Sequence, residues 1–219
     1  MNRIFGSNTR LLSLKRTNHR RSSTCIIESM KWRRAVKGFG SDKVNIETIL
    51  QAIQHAPSSF GLQPYKIINV SSSSLLEALS PDSITYDNGE KIKQASNLLV
   101  FTARDDAKNV IDEFAKVSNT PEENIKSIRG MIETLPQQVF IDWSKQQVNV
   151  ALGFALASAA HNRIPSCPMG GYDPDQVKTI LKLDDNLHIA ALMAIGSEPA
   201  ILPPFPQFRH ELDHLIVNM

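Results

Sequence analysis

The feature that most constrains the fold is one proline-free stretch, DWSKQQVNVALGFALASAAHNR, at 142–163. It predicts a single long helix from Asp142 to Arg163. The second half, VNVALGFALASAA, is apolar almost all the way round. A helix of that kind is buried, either in a core or in a subunit interface. The sequence leaves both options open.

Around it lie shorter elements. Ile26, Ile27, Met30 and Ala35 suggest a first helix running into KWRRAVKGF. Asn45 caps a helix with Ile46, Ile49, Leu50 and Ile53 on one face, stopped by Pro57. KIINV (66–70), NLLVFTA (97–103) and HIAALMAIG (188–196) read as strands, the last two buried on both faces. A helical turn fits Leu75 to Leu79. In TPEE, Thr120 is the expected N-cap, Pro121 the first helical residue and Glu123 the capping-box partner. SCPMGGYDPDQ reads as a loop that opens a helix, with Asp173 as cap, Pro174 first and Gln176 closing the box. SEPAILPPFPQFR is a Pro-rich surface excursion, followed by a short polar helix. Few strands among many helices imply an α+β layer structure, a small sheet wrapped by helices.

The chain has 219 residues, 42% of them hydrophobic, which suits one sizeable core. A net charge of +2 and the lack of basic–aromatic interleaving give no footprint for nucleic acid. No apolar run approaches the ~20 residues that span a bilayer. Cys25 and Cys167 fit no metal-ligand spacing and read as reduced intracellular thiols, which implies the cytoplasm. Residues 1–23 are rich in Arg and Ser and free of acids. That is transit-peptide composition, with the mitochondrion as the alternative compartment. A disordered tail or an early start codon, with Met30 offering a later one, explains it as well. The expected domain is 24–219, with 1–23 as an extension outside it.

Three segments could serve one anionic ligand. Arg33, Arg34 and Lys37 present guanidinium forks and an ammonium suited to phosphate. Alone they read better as a solvated basic helix end. APSSFGLQPY (56–65) offers the Ser58 and Ser59 hydroxyls and, at Gly61, close backbone approach. Alone it reads better as a helix-to-strand connector. CPMGGYDP supplies consecutive glycines, as in an anion-binding nest or a tight turn. Neither G-x-G-x-x-G after a strand nor G-x-x-x-x-G-K-[ST] occurs. HELDH, His210 to His214, matches H-E-x-x-H, with Glu211 as would-be general base. Five residues follow it, and Asp213 is charged where a site helix is apolar, so a solvated terminal helix is the better reading and a zinc hydrolase a distant one.

RRAVKGF, APSSFGLQPYKIINV, ASNLLVF and SCPMGGYD, in that order, resemble the nitroreductase family over about residues 25 to 209. The resemblance implies a nitroreductase-like α+β fold, with a mostly antiparallel sheet, an obligate-type homodimer and FMN as cofactor. It also implies NAD(P)H as donor and nitroaromatics, quinones or similar small molecules as acceptors, in a ping-pong hydride transfer with no protein nucleophile. A flavin-binding module without useful turnover is the alternative. By resemblance, Arg33, Arg34 and Lys37 lie near the FMN phosphate, ribityl chain and ring edge, with Lys37 a candidate stabiliser of the reduced ring. Pro57, Ser58, Ser59 and Gly61 would reach over the partner subunit's flavin. Asn88 matches a contact to the pyrimidine edge. Pro168, Met169, Gly170 and Gly171 match the loop packed on the ring, and Arg209 a phosphate ligand. The long helix would build the dimer through Val148, Leu152, Ala155 and Ala159. Departures from the family pattern are Ala35 for Ser, Gly61 for Asn, Gln207 for Lys and Gly170 for Glu.

Overall fold

The computed structural model describes residues 24–86, 88–198 and 207–219. The expectations for 1–23 and for the Pro-rich stretch at 199–206 lie outside the described residues. The elements are α1 (Thr24–Trp32), α2 (Glu47–Gln54), β1 (Tyr65–Val70), α3 (Ser73–Ala78), α4 (Asp82–Thr85), α5 (Gly89–Gln94), β2 (Asn97–Arg104), α6 (Ala107–Val117), α7 (Glu122–Ile132), α8 (Gln137–His161), β3 (Ser166–Met169), α9 (Pro174–Leu181), β4 (Leu187–Ile195) and α10 (Leu212–Leu215).

The strands form one antiparallel sheet in the order β1-β2-β4-β3. β2 and β4 are central, which is why both read as unbroken apolar runs. Along β2, Leu98 and Val100 face one layer, while Leu99 and Phe101 face the other. All four are fully buried, worth roughly 1.5–3 kcal/mol each. The first layer packs α3, α5 and α9 against the sheet around Leu76, Ile92 and Val177. In the second, α2 and α8 cover the sheet through Ile49, Ile53, Ala151 and Ala155. A third cluster, between α6, α7 and the start of α8, holds Val110, Ile111, Ile128, Phe140 and Leu62.

The long helix differs from expectation in two ways. It begins at Gln137, because Pro136 in extended conformation (φ −54, ψ 142) is its N-cap and launches it five residues before Asp142. Its small-residue stripe also faces inward. Val148, Ala155 and Ala159 are completely buried in this subunit, with Leu152 packed beside them. Small side chains there let α8 lie close to the sheet and α2, where the Ser158 hydroxyl donates to Thr48 O at 2.9 Å. The face turned outward instead carries Val150 and Phe154, each 40% exposed.

Other local readings shift by a residue or two. The Asn45 carboxamide accepts from Glu47 N–H at 2.9 Å, but the N-cap position is held by Ile46, so the expected cap Asn45 sits one residue outside it. α7 starts at Glu122 with Pro121 itself in the extended cap conformation, so Thr120 forms no capping box. The Asp173 cap forms as expected, its carboxylate accepting from Asp175 and Gln176 N–H, but Gln176 does not close a box: its Nε2 donates to the Asp173 carboxylate, while Asp173 N–H donates to Ile84 O. SCPM is not loop but the edge strand β3, where Pro168 lacks an N–H at little cost.

Candidate functional site

RRAVKGF leaves α1 and runs beside β3, with Ala35 bridging to Ser166. Burial, and then the charge of Arg209, lower the pKa of the Arg33 guanidinium. Two like charges are thus held together across 176 positions of sequence. They line one cavity of about 310 Å³ with Met30, Gly153, Leu156, Ala157 and Ala160. Arg33 Nη1 is buried and has no hydrogen-bond partner. Gln207, where the family pattern has Lys, donates to Met30 O at 3.4 Å and ties the C-terminal segment to α1. Arg34 is half-buried and Lys37 exposed.

A second group adjoins the first through β3. Cys167 is a buried free thiol. Burial pushes its pKa up, against the pull of the Lys91, Lys37 and Arg33 charges. Lys91 is 8% exposed and donates to Asn88 Oδ1 at 2.5 Å. Asn88 Nδ2 in turn donates to Gly171 O at 3.0 Å, joining α5 to the loop after β3. Gly171 eases that approach, since a Cβ there would lie 3.2 Å from Asn88 Nδ2 and the side chain would have to give by a few tenths of an ångström. One turn further along α5, Gln94 Oε1 accepts Phe39 N–H at 3.1 Å and holds the chain just beyond Lys37. Met169 is buried, Pro168 half-buried and Gly170 open to solvent.

The structure therefore brings the charges of Arg33, Lys37 and Lys91 within reach of Cys167 on β3, with Arg209 beside Arg33 and with Asn88 and Gly171 bonded beside Lys91. It does not bring Pro57, Ser58, Ser59 and Gly61 to them. That segment is fixed to a different part of α8, where Ser59 N–H donates to Gln147 Oε1 at 2.9 Å. Gln147 precedes Ala157 of the arginine cavity by ten residues, about 15 Å along a helix axis.

Sequence reasoning missed Lys91, Gln94 and Gln147. Lys91 and Gln94 follow Asn88 at i+3 and i+6, one helical face beside buried Ile92. Gln147 is a polar residue at the border of an apolar helical run. In HELDH, the helix spans Leu212–Leu215 alone, so His210 lies outside it. The His210 and His214 rings stack at 4.1 Å. Among the described residues no three His, Cys, Asp or Glu side chains cluster to hold a metal. No helix among them is long and apolar enough to cross a membrane.

The model of the nitroreductase family matches residues 30–197, which include β1–β4 and the site residues named above except Gln207 and Arg209. The chain belongs to the nitroreductase family. Among relatives of this nitroreductase is the Staphylococcus haemolyticus protein named "Putative NAD(P)H nitroreductase SH0546". It is 28% identical over 172 residues, 71% of this chain and 78% of that protein. Among solved structures, a nitroreductase family protein from Streptococcus pneumoniae matches with a TM-score of 0.76 at 21% identity, covering 88% of this chain and 99% of that one. A protein from Exiguobacterium sibiricum, described as "a putative nitroreductase in complex with FMN", also gives 0.76 at 21% identity, over 89% of this chain and 97% of that one. The nitroreductase fold expected from the sequence is the fold observed.

Proposed function

We propose that this nitroreductase is an FMN-dependent oxidoreductase that takes electrons from NAD(P)H and passes them to nitroaromatics, quinones or similar small acceptors by a ping-pong route. The observation that carries the reading is the Arg33–Arg209 pair. Two guanidinium groups share a cavity, and one buried N–H donor is unsatisfied. Such a donor costs about 1–3 kcal/mol until an acceptor arrives, and the terminal phosphate of FMN is an acceptor of the right charge and geometry. The residues present therefore fit the group.

When bound, FMN supplies a ring nitrogen, N5, that accepts and donates hydride. The rest is the work of this chain. Arg33 and Arg209 hold the phosphate. Asn88, itself oriented by Gly171 and Lys91, offers hydrogen bonds to the polar ring edge. Lys91 and Lys37 place positive charge where negative charge accumulates on reduction, which favours the reduced state. Pro168, Met169, Gly170 and Gly171 form the wall against the ring. No side chain is required as nucleophile.

The second half of the site comes from a second copy of the chain. Support comes from two exposed features. The outward face of α8 offers Val150 and Phe154, and α1 adds Ile26, Ile27 and Met30, each at least 45% exposed. The segment Pro57 to Gly61 is largely exposed and held away from this subunit's own arginine cavity. In a homodimer it would cover the partner's flavin. The test is anaerobic addition of NADH or NADPH to the flavin-loaded protein: bleaching of the flavin band, reversed by an aromatic nitro compound, supports the reading. A band that neither donor bleaches refutes it.

A further inference from the structure

Lys37 lies on a strap that the fold fastens at both ends. Ala35 forms a β-bridge to Ser166 at the start of β3. Gly40 forms one to Ser197 just past β4, where Gly40 N–H donates to Ser197 O at 3.2 Å. Between the two ties, Val36 and Phe39 point inward and are buried in the cluster that also holds Ile92 of α5. The Phe39 ring lies so close to the end of β4 that a Cβ on Gly196 would meet it at 2.7 Å. Lys37 stands between these two anchors, exposed, at a bend in the backbone. Its charge nevertheless reaches the Cys167 thiol, together with those of Lys91 and Arg33.

Gln94 closes over the middle of the strap. Its Oε1 accepts Phe39 N–H at 3.1 Å, and its Nε2 donates to Glu90 Oε2 at 3.3 Å, so the carboxamide has a partner at each end. The contact is close: a Cβ on Gly38 would lie 2.7 Å from Gln94 Oε1. Gln94 is exposed, so it fills no core. What it supplies is an acceptor for a main-chain donor two residues after Lys37. Along α5, Asn88, Lys91 and Gln94 follow one another at intervals of three and share a face. Asn88 ties that face to Gly171 O in the loop after β3, and Gln94 ties it to the strap. One short helix thereby sets the place of the Lys37 backbone relative to the Lys91 ammonium.

We propose that Gln94 is a positioning residue: through Phe39 N–H it keeps the Lys37 charge beside that of Lys91, and so raises the site's preference for reduced over oxidised FMN. The proposal rests on the oxidoreductase reading, because it concerns the charge held beside the cofactor ring.

The experiment is a double-mutant cycle on the full chain, read as the reduction potential of bound FMN in a potentiometric titration. Gln94→Leu keeps the side-chain bulk and removes the acceptor. It should lower the preference for reduced over oxidised FMN by about two- to fivefold, the size of one exposed charge interaction. At 29.6 mV per tenfold for two electrons, that is a potential about 10–20 mV more negative. Lys37→Met should shift it in the same direction, and adding Gln94→Leu to Lys37→Met should shift it no further, because Gln94 acts through that charge. Ser197→Ala cuts only the far tie, where Ser197 Oγ accepts Asp42 N–H at 3.2 Å, and should leave the potential unchanged. In the flavin-free chain, the Phe39 amide should exchange its hydrogen faster in Gln94→Leu than in the wild type. If Gln94→Leu does not fold, Gly38→Ala, whose methyl displaces the carboxamide from the other side, carries the same cycle. A flavin-loaded Gln94→Leu with the wild-type potential, or one whose shift persists undiminished alongside Lys37→Met, overturns the proposal and leaves the oxidoreductase reading standing. A wild-type chain that takes up no flavin overturns both.

Discussion

Arg33→Met separates the cost of an anion site from its use, because the two effects have opposite signs. Without ligand, Arg33 faces Arg209 and carries a buried donor with no partner. Methionine keeps most of the side-chain volume and removes both penalties. An unsatisfied buried donor costs about 1–3 kcal/mol. Arg33 is only half-buried, so the low end applies, and the flavin-free protein should gain about 1 kcal/mol, or about 2–4 °C in Tm at this chain length. FMN binding should move the other way. A charge-assisted hydrogen bond is worth about 1.5–3 kcal/mol, so affinity should fall by about ten- to a hundredfold. Thermal melting of flavin-free protein gives the first number, and quenching of free FMN fluorescence on titration gives the second. A variant that melts lower and binds FMN as tightly as the wild type would show that the arginine pair is structural and the phosphate lies elsewhere.

Other substitutions test other parts of the account. Phe154→Glu, on the outward face of α8, should yield a folded monomer by light scattering that has lost flavin, whereas Ala155→Glu, one residue on, should not fold, because it puts a carboxylate in the core. A Phe154→Glu dimer would place the interface on another face. Lys91→Met should move the flavin's reduction potential to more negative values in a potentiometric titration; an unchanged potential would remove Lys91 from the ring edge. Arg104 is 5% exposed and bonds both Asp106 and Glu113. Burial raises the Asp106 pKa, but the Arg104 hydrogen bonds and charge outweigh it and leave the carboxyl below its ordinary value; Glu113 is lowered chiefly by its bond to Arg104. Groups lowered in this way stabilise the fold above their unfolded pKa, about 4, and stop doing so as pH falls through their folded values. Arg104→Met should therefore cost about 3 kcal/mol at neutral pH, with a smaller penalty in acid. Denaturant unfolding at two pH values checks it, and an equal cost at both would contradict the linkage.

Much of this was legible in the sequence, for reasons that differ by element. β2 and β4 were plain because a strand covered on both faces is apolar at every position. α9 was plain because Asp173, Pro174 and Gln176 each act locally. The orientation of α8 was not. A helix apolar all round carries no mark that says which side meets the sheet, and the buried side proved to be the small-residue side, which permits close packing. β3 was hidden because its proline and the two glycines just after it read as loop, while an edge strand tolerates the proline. In the site, the arginines could be named from type and order, yet their meeting joins the two ends of the described chain. Lys91 and Gln147 escaped for the opposite reason. Each looks like an ordinary polar residue on a helix, and only the packing shows Lys91 on Asn88 and Gln147 on Ser59.

The central claim is that the cavity of Arg33 and Arg209 belongs to a redox flavin. Its most direct test is the visible spectrum of the purified full chain after incubation with excess FMN and removal of the unbound fraction. The account expects a stoichiometric flavin band, bleached by NADH or NADPH without air and restored by a nitroaromatic acceptor. A colourless protein that retains no FMN would contradict it.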